Sequence, residues 1–283
     1  MELAVIVPPG AEELVPDEYL MMAFADIAFE NPEYARFYAQ RERVIMDNQI
    51  YEGQTGLPSR ELAFILGFVR PTVAIVPDVR GSGIRTVARA RQYLPLLREV
   101  RKQGIELCGV VQGSDANDME VCAQFFVRES QIDWMAYPIK PAYGPARANV
   151  FSYVRFKAET AGKPVHFLGM EQYTPFFNDP RPDKWDLVRS LDTAEPTVAT
   201  IYGVTLESLQ LYSYADAQAH PLLKRPPDFM TWPGYVEILK ARKELLWRNL
   251  AWMQSLLKTP STSLQAPDVT QPESADEGTQ PTE

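Results

Sequence analysis

The sequence predicts a (β/α)8 barrel with a C-terminal helix, and three observations support this fold class. Short apolar runs rich in valine and isoleucine alternate with longer amphipathic segments along most of the chain. Such near-continuous apolar strands, each followed by a helix, are typical of a parallel sheet that is covered on both faces. Seven units of about 30 residues each approach the eight that close a barrel. A doubly wound open sheet is the competing fold.

Seven runs are predicted to be strands by their apolar and β-branched content. The first follows Glu2 rather than a basic segment and is broken by Pro8-Pro9, so we interpret it as a strand and not as a secretory signal. The eighth strand is less distinct, and we place it within Val198–Val204. The seven predicted strands are Leu3–Val7, Val44–Met46, Val73–Val76, Glu106–Val111, Trp134–Tyr137, Val165–Leu168 and Ser190–Leu191.

The segments between these strands have helical periodicity. In the third of them, apolar residues recur from Val87 to Val100 at the spacing of one buried helix face, and Pro95 should kink or split that helix. A final amphipathic helix, Gly234–Leu257, should lie against the barrel. The predicted helices before it are Glu18–Phe29, Arg60–Phe68, Ile84–Lys102, Ala116–Glu129, Pro145–Ala161 and Asp183–Val188.

The chain is predicted to contain one domain, residues 1–258, followed by a disordered tail, Thr259–Glu283. The tail is rich in proline, serine, threonine and glutamine, and it contains five acidic residues but no basic or aromatic one. Such a composition buries too little apolar surface to offset the entropy of ordering the chain. The tail therefore carries more than half of the formal net charge of −9. That charge argues against a generic nucleic-acid coat but is compatible with a local basic groove.

The composition excludes several classes of protein. No apolar run reaches the roughly 20 residues of a membrane-spanning helix. Two cysteines, Cys108 and Cys122, and two histidines, His166 and His220, exclude a disulfide scaffold and a four-cysteine zinc site. We expect both cysteines to be buried apolar residues, and His166 to be structural, at the barrel end opposite the active site. Any catalysis is therefore expected to depend on carboxylates, since a serine or cysteine nucleophile would need one of only two histidines.

Polar residues follow the predicted strands at the point where each strand ends. Asp47-Asn48, Pro77-Asp78 and Gln112-Gly113 follow three of them, and Asp192 follows the last. The carboxyl ends of parallel barrel strands open on one face, where active sites form, so three carboxylates and an amide should converge there. The alternative is that each aspartate caps the helix that follows its strand.

Five segments at strand ends carry a resemblance to a known family. They are Met46-Asp47-Asn48-Gln49-Ile50-Tyr51-Glu52-Gly53, Val76-Pro77-Asp78-Val79, Gly109-Val110-Val111-Gln112-Gly113, His166-Phe167-Leu168-Gly169-Met170 and Ser190-Leu191-Asp192-Thr193. In order and spacing they resemble the motifs of the tRNA-guanine transglycosylase superfamily. The similarity is greatest to its DNA-modifying branch, the 7-deazaguanine DNA transglycosylases of phages and bacterial DNA-modification clusters. Enzymes of this family exchange a guanine base in a polynucleotide for a 7-deazaguanine.

The resemblance implies a role for each matched residue. Asp192 would be the nucleophile that attacks the ribose C1′, and Asp47 the carboxylate that transfers a proton or positions the sugar. Asp78 would hydrogen-bond the purine edge, and Gln112 the base carbonyl. The other substrate-binding residues implied are Asn48, Gly113, Gly169 and Met170. The chemistry is consistent with these roles, because a carboxylate can trap the oxocarbenium-like state at C1′ while an acid protonates the departing purine.

The chain departs from the tRNA enzymes in one respect. Those enzymes carry a zinc site of three closely spaced cysteines and a histidine after the nucleophile, whereas no cysteine follows Cys122 here. We therefore expect no metal and no other cofactor, with DNA rather than tRNA as the substrate and a 7-deazaguanine base as co-substrate. Three alternatives stay open: a tRNA enzyme that dispenses with zinc, an N-glycosidase whose intermediate is resolved by water, and a barrel that only binds nucleic acid or nucleotide.

Basic residues near the predicted strand ends are candidates for phosphate contacts. Arg80, Lys140 and Arg147 should track the DNA backbone around a base that is flipped out of the stack, whereas Arg89 and Arg91 also fit a solvated helix face. The aromatic residues that either stack on such a base or belong to the rim or core are Tyr51, Tyr137 and Tyr143. The resemblance further implies a cytoplasmic protein of a bacterial or phage-infected cell, without a membrane partner. A homodimer is compatible with the sequence.

Overall fold

The computed structural model of the protein describes residues 1–48, 56–138, 162–169, 188–211 and 228–258. Eight parallel strands close into a barrel in chain order, and the last pairs with the first. The predicted (β/α)8 fold, the TIM barrel, is therefore confirmed, and the open sheet is excluded. The strands are β1 (Glu2–Val5), β2 (Leu20–Phe24), β3 (Val44–Asp47), β4 (Val73–Val76), β5 (Glu106–Val110), β6 (Trp134–Pro138), β7 (Val165–Leu168) and β8 (Val188–Thr193).

The strands are apolar because side chains fill the barrel interior while helices cover its outside. All residues of β2 and β4 are buried. In β3, three buried apolar residues precede Asp47, which is the last residue of the strand and is partly exposed. The apolar run fixes the position of each strand, so the polar residue that follows it is delivered to the carboxyl end of the barrel.

Helices connect the strands and cover the barrel. They are α1 (Ala25–Glu30), α2 (Pro32–Ala39), α3 (Ser59–Val69), α4 (Gly83–Arg101), α5 (Ala116–Arg128), α6 (Glu195–Tyr202), α7 (Gly234–Ala241) and α8 (Lys243–Lys258). Short 3-10 helices are formed by Glu12–Leu14 and Leu206–Leu211. The predicted bounds of α3, α4 and α5 are correct to within one residue. The predicted helix Pro145–Ala161 and residues 183–187 of the next one lie outside the described residues, and Val188 itself begins β8.

Two segments were predicted with the wrong type of secondary structure. The first half of the predicted helix Glu18–Phe29 is the strand β2, because burial between β1 and β3 overrides the helical preference of its leucine and methionine residues. The eighth strand expected within Val198–Val204 belongs instead to the helix α6. Pro196 in the first turn of α6 and Gly203 at its end, with φ of 75°, are helix start and stop signals.

Pro95 does not split its helix, since α4 runs unbroken from Gly83 to Arg101. A proline inside a helix leaves the carbonyl four residues earlier, here that of Arg91, without its usual partner. Pro95 and Arg91 are both exposed, so water can hydrogen-bond that carbonyl. The exposed position explains why the helix continues.

The C-terminal segment closes against the barrel as two helices rather than the single predicted one. α7 and α8 are separated at Arg242, and α8 packs on α6 and β1. Asn249 of α8 is buried and hydrogen-bonds Thr200, Val204 and the Leu206 N–H. The tail, residues 259–283, lies outside the described residues. Within the described part of the chain, none of the helices combines the length and apolar character needed to cross a membrane.

Candidate active site

Three carboxylates lie at the carboxyl end of the barrel. Asp47 ends β3, Asp78 follows β4 by two residues, and Asp192 is the next-to-last residue of β8. The three are near enough that the negative charges of Asp78 and Asp192 both act on Asp47. The structure thus brings together acids that are far apart in the chain.

None of these three aspartates caps a helix that the structure describes. The helix α4 begins after Ser82, whose side chain accepts a hydrogen bond from the Arg85 N–H. The helices α3 and α6 begin after Pro58 and Ala194, and neither start has a side-chain cap. The helix-cap alternative is therefore excluded for the described helices α3, α4 and α6.

Asp47 has a strongly perturbed carboxyl group. Burial and the nearby charge of Asp78 raise its pKa well above the usual range, and Asp192 and Asp26 raise it further. The Asn48 backbone N–H, 2.6 Å from Oδ1, opposes this shift, and the Asn48 side-chain amide lies 3.2 Å from the same oxygen. Asp47 therefore retains a proton to higher pH than an ordinary aspartate does.

Asp78 and Gln112 form one hydrogen-bonded unit. The Gln112 amide donates to Asp78 Oδ2 at 2.7 Å, and Gln112 Oε1 accepts from the Gly81 N–H at 3.2 Å. Burial raises the pKa of Asp78, while hydrogen bonds from Gln112 and Asn48 lower it in part. Arg89 donates to the Asp78 backbone carbonyl at 2.7 Å. It therefore stabilises the loop after β4 and is not only part of a solvated helix face.

Asp118 ties together the two loops that carry Asp78 and Gln112. Its Oδ2 accepts from the N–H groups of Gly83 at 2.7 Å and Ser114 at 2.9 Å, and its Oδ1 from that of Ile84 at 2.8 Å. These bonds join the start of α4 to the segment before α5. The loops after β4 and β5 are therefore positioned as a pair.

Gly113, a predicted substrate-binding residue, is buried against the first turns of α5. A β-carbon at this position would come within 2.6 Å of the Met119 backbone nitrogen. Close packing alone therefore accounts for a glycine here, and its backbone remains next to Gln112.

Asp192 is contacted by His166 of β7 and by Gly169, the residue that follows β7. Its Oδ1 accepts from the Gly169 N–H at 3.0 Å and lies 3.3 Å from His166 Nε2. Gly169 has φ of 72°, a left-handed conformation that favours glycine. Only 5% of Asp192 is exposed, so its carboxylate is shielded at the barrel mouth.

The expectation that His166 lies at the opposite end from the site is wrong. Its position near the start of β7 is as predicted, but its imidazole contacts Asp192, with Nδ1 2.8 Å from Ser190 Oγ. Side chains on adjacent strands can contact each other when they are directly opposite or two residues further along the neighbouring strand. The available sequence signal is that Ser190 and Asp192 share one strand face, with a histidine on the preceding strand.

The remaining predicted site residues have mixed placements. Arg80 is exposed in the loop after β4, whereas Met170, Lys140 and Arg147 lie outside the described residues, as do Tyr51 and Tyr143. Tyr137 is fully buried and belongs to the core. Arg91 lies over the Phe125 ring at 5.4 Å from its centroid.

The two cysteines are buried and unpaired, as predicted. Burial and the charges of Asp47 and Asp78 raise the pKa of Cys108 well above the usual range, so its thiol stays protonated. Among the described residues, no group of three or more histidine, cysteine, aspartate and glutamate side chains is arranged to hold a metal ion.

No protein-family model matches the chain, and no curated protein matches it significantly.

Proposed function

We propose that this protein is a base-exchange transglycosylase, which replaces guanine in DNA with a 7-deazaguanine through a covalent aspartyl-glycosyl intermediate. The observation that carries the proposal is the convergence of Asp47, Asp78 and Asp192 at one barrel mouth, where none of them caps one of the described helices. The resemblance of the surrounding motifs supplies the reaction class. The geometry alone supports acid–base and nucleophilic chemistry by carboxylates.

In the first displacement, Asp192 attacks C1′ of the nucleotide. A bond forms between a carboxylate oxygen and C1′ while the bond from C1′ to the purine nitrogen breaks, and the electron pair leaves with the purine. Asp47 is suited to protonate the departing base, because burial and the nearby charges raise its pKa, so that it holds a proton to higher pH than an ordinary aspartate does. This step is analogous to the first half of a retaining glycosidase reaction.

In the second displacement, the incoming 7-deazaguanine attacks C1′ from the face that the guanine left. The C1′–oxygen bond breaks, Asp192 regains its negative charge, and Asp47 accepts the proton that the incoming base loses. Two inversions restore the original configuration at C1′, and all protons return to their starting places. The protein therefore needs neither a metal nor another cofactor for this cycle.

Asp78 and Gln112 are the proposed base-recognition pair. A carboxylate can accept two hydrogen bonds from the N–H and NH2 groups of a guanine edge, and the glutamine amide can donate to the base carbonyl. Because Gln112 already donates to Asp78, base binding would replace that bond with bonds to the purine. The two loops are held in register by Asp118, which keeps the pair preorganised.

DNA is the proposed polynucleotide, and the target nucleotide would leave the stack at a cost of a few kcal/mol. Arg80 lies in the loop next to Asp78 and is a proposed phosphate contact, together with Lys140 and Arg147. The proposal of DNA rather than tRNA follows from the lack of any cysteine after Cys122.

The deciding experiment incubates the protein with duplex DNA and a radiolabelled base, either guanine or a 7-deazaguanine, and measures label in the DNA. Incorporation supports base exchange. Release of free guanine without incorporation would instead support an N-glycosidase. Incorporation of the base only into tRNA would support a zinc-independent tRNA enzyme. Binding of nucleic acid without either reaction would support a non-catalytic barrel.

Replacing the nucleophile should abolish exchange while leaving the fold intact. We expect Asp192→Asn to lower the exchange rate by about 10⁴-fold or more, as for the removal of a catalytic nucleophile. Asp17→Asn is the matched control, because Asp17 has a highly exposed side chain near the start of β2, and it should retain full activity. Full exchange by Asp192→Asn would contradict the assignment of the nucleophile.

A further inference from the structure

Two adjacent strands place a histidine, a serine and the proposed nucleophile in one buried column. His166 of β7 pairs with Ser190 of β8, after a register shift between Val165 and His166. Asp192 follows Ser190 by two residues and therefore lies on the same face of β8. His166 is 1% exposed and Ser190 is 0% exposed, so the column is shielded from water up to the barrel mouth.

The His166 imidazole bridges the two β8 side chains. Its Nδ1 lies 2.8 Å from Ser190 Oγ, and its Nε2 lies 3.3 Å from Asp192 Oδ1. With a proton on Nε2, the ring presents an N–H group to the carboxylate, and Nδ1 can accept from the Ser190 hydroxyl. The opposite tautomer would set a lone pair against a carboxylate oxygen. Ser190 and Asp192 together therefore favour the form with hydrogen on Nε2.

Among the described residues, the contacts to the Asp192 carboxylate fall on one of its two oxygens. The Gly169 N–H and His166 Nε2, both on or next to β7, reach Oδ1 rather than Oδ2. His166 Nε2 is buried and has no aligned hydrogen-bond acceptor among the described residues. A buried donor in this state is costly, so a small rotation that aligns it with Oδ1 is favourable. Catalytic hydrogen bonds commonly tighten in this way when substrate is bound.

We propose that His166 is a positioning residue for Asp192, with Ser190 setting its tautomer, so that Oδ2 is the oxygen that attacks C1′. This inference rests on the proposed function. As Oδ2 bonds to C1′, the purine leaves with the electron pair of the broken bond and takes its proton from Asp47. Oδ1 becomes the carbonyl oxygen of the resulting ester. His166 keeps its Nε2 proton throughout, and no atom is transferred to or from it.

Single-turnover kinetics test this role. The protein is mixed with a guanine-containing oligonucleotide duplex in the absence of an incoming base, and the covalent protein–DNA adduct is measured on denaturing gels, with the duplex Kd measured separately. We expect His166→Phe to slow adduct formation about 100-fold, the typical effect of removing one preorganised donor. The Kd should change by less than about threefold, since the lost contact orients the nucleophile rather than binding substrate.

Two further variants keep the inference falsifiable if His166→Phe does not fold. His166→Gln retains an N–H donor and should restore the rate to within about tenfold of the wild-type value, and Ser190→Ala should slow it by about tenfold. A purely structural role predicts loss of thermal stability without this rescue. An unchanged adduct rate in all folded variants, or a loss found entirely in the Kd, would overturn the proposal.

Histidine ¹⁵N NMR provides a readout that does not depend on activity. The chain has only two histidines, His166 and His220, so His220→Gln assigns the spectrum. We expect a proton on Nε2 of His166 in the wild-type protein and increased protonation of Nδ1 in Ser190→Ala. A wild-type His166 protonated on Nδ1 alone would overturn the inference. If the wild-type protein forms no adduct, the proposed function fails, and the NMR spectrum still decides whether His166 holds Asp192.

Discussion

Asp47 shows how a single residue acquires its chemistry from its neighbours. An isolated aspartate loses its proton near pH 4, but Asp47 lies half-buried at the end of β3 and faces the charges of Asp78 and Asp192. Burial and like charges both disfavour the ionised form, so the proton is retained. The same arrangement that makes Asp47 a suitable acid therefore makes it a source of instability when it ionises.

Removing the charge of Asp47 should stabilise the protein and abolish its chemistry. Because the pKa of Asp47 is raised on folding, the folded state binds more protons, and stability falls as pH rises from the unfolded pKa through the folded one. We expect Asp47→Asn to increase the free energy of unfolding by about 1 kcal/mol at pH 8 and by less at pH 4. Urea denaturation at both pH values measures this difference.

The control Asp17→Asn should show no such pH-dependent gain, since the exposed Asp17 carboxylate forms an ion pair with Arg41 and, among the described residues, faces no buried carboxylate. Base exchange by Asp47→Asn should fall at least 100-fold, the upper range of one general acid being about 10⁴-fold. Equal stability of Asp47→Asn and the wild-type protein at both pH values would contradict the raised pKa.

At the residue scale, the sequence identifies groups at strand ends but not groups that reach the site from within a strand. Asp47, Asp78 and Gln112 each follow an apolar run, and the barrel topology alone places them at one mouth. His166 lies near the start of β7, and its contact with Asp192 depends on the register shift between β7 and β8. Such a shift is set by packing of the two strands, so the shared face of Ser190 and Asp192 marks His166 as a candidate without fixing the register that brings it to Asp192.

At the element scale, Asp118 determines how the loops after β4 and β5 sit relative to each other. Desolvation raises its pKa, but hydrogen bonds from Ser114, Gly83 and Ile84 outweigh it, and the net pKa is lowered. A lowered pKa means that Asp118 contributes stability above the unfolded pKa, and that this contribution is lost as pH falls through the folded pKa.

Asp118→Ala should weaken both the fold and base recognition. We expect the free energy of unfolding to fall by about 1 kcal/mol at pH 7 and by less near pH 3. This is the typical value for an N-terminal helix cap, and solvent exposure limits it here. Since the loops carry Asp78 and Gln112, KM for the incoming base should rise while the adduct rate with DNA changes less. Asp115→Ala is the matched control, because it removes the cap of α5 and a hydrogen bond from the Ser114 hydroxyl but leaves the bonds between the two loops in place. It should lower the free energy of unfolding by a similar amount without the change in KM.

The elements that were predicted incorrectly share a physical cause. The residues of β2 favour helix intrinsically, and α6 is rich in β-branched residues that favour strand. In both segments nearly every residue is buried, so the periodicity that separates helix from strand is lost. The helices α3, α4 and α5 each have an exposed face, which is why their bounds could be predicted closely.

At the scale of the whole molecule, charge is distributed unevenly along the chain. Five of the acidic residues lie in the segment 259–283, which has no basic residue, whereas the rest of the chain has nearly balanced charge. A polyanion such as DNA is repelled by a nearby acidic segment over about one Debye length, roughly 10 Å at 0.1 M salt. The segment follows α8, which packs on the barrel through α6 and β1.

Deleting Thr259–Glu283 should leave the fold and the exchange reaction largely intact but strengthen DNA binding. The composition of this segment predicts that it adds no buried core, so the melting temperature should change by less than about 2 °C. Removing five negative charges reduces repulsion of the phosphate backbone, and we expect a decrease in Kd of about two- to fivefold at 50 mM salt that disappears by 300 mM.

A variant of full length with the five acids replaced by Asn or Gln is the matched control, because it removes charge without removing chain. If this variant binds DNA as the wild-type protein does while the deletion binds more tightly, the effect is steric rather than electrostatic. Loss of the melting transition on deletion would show that the segment belongs to the folded domain.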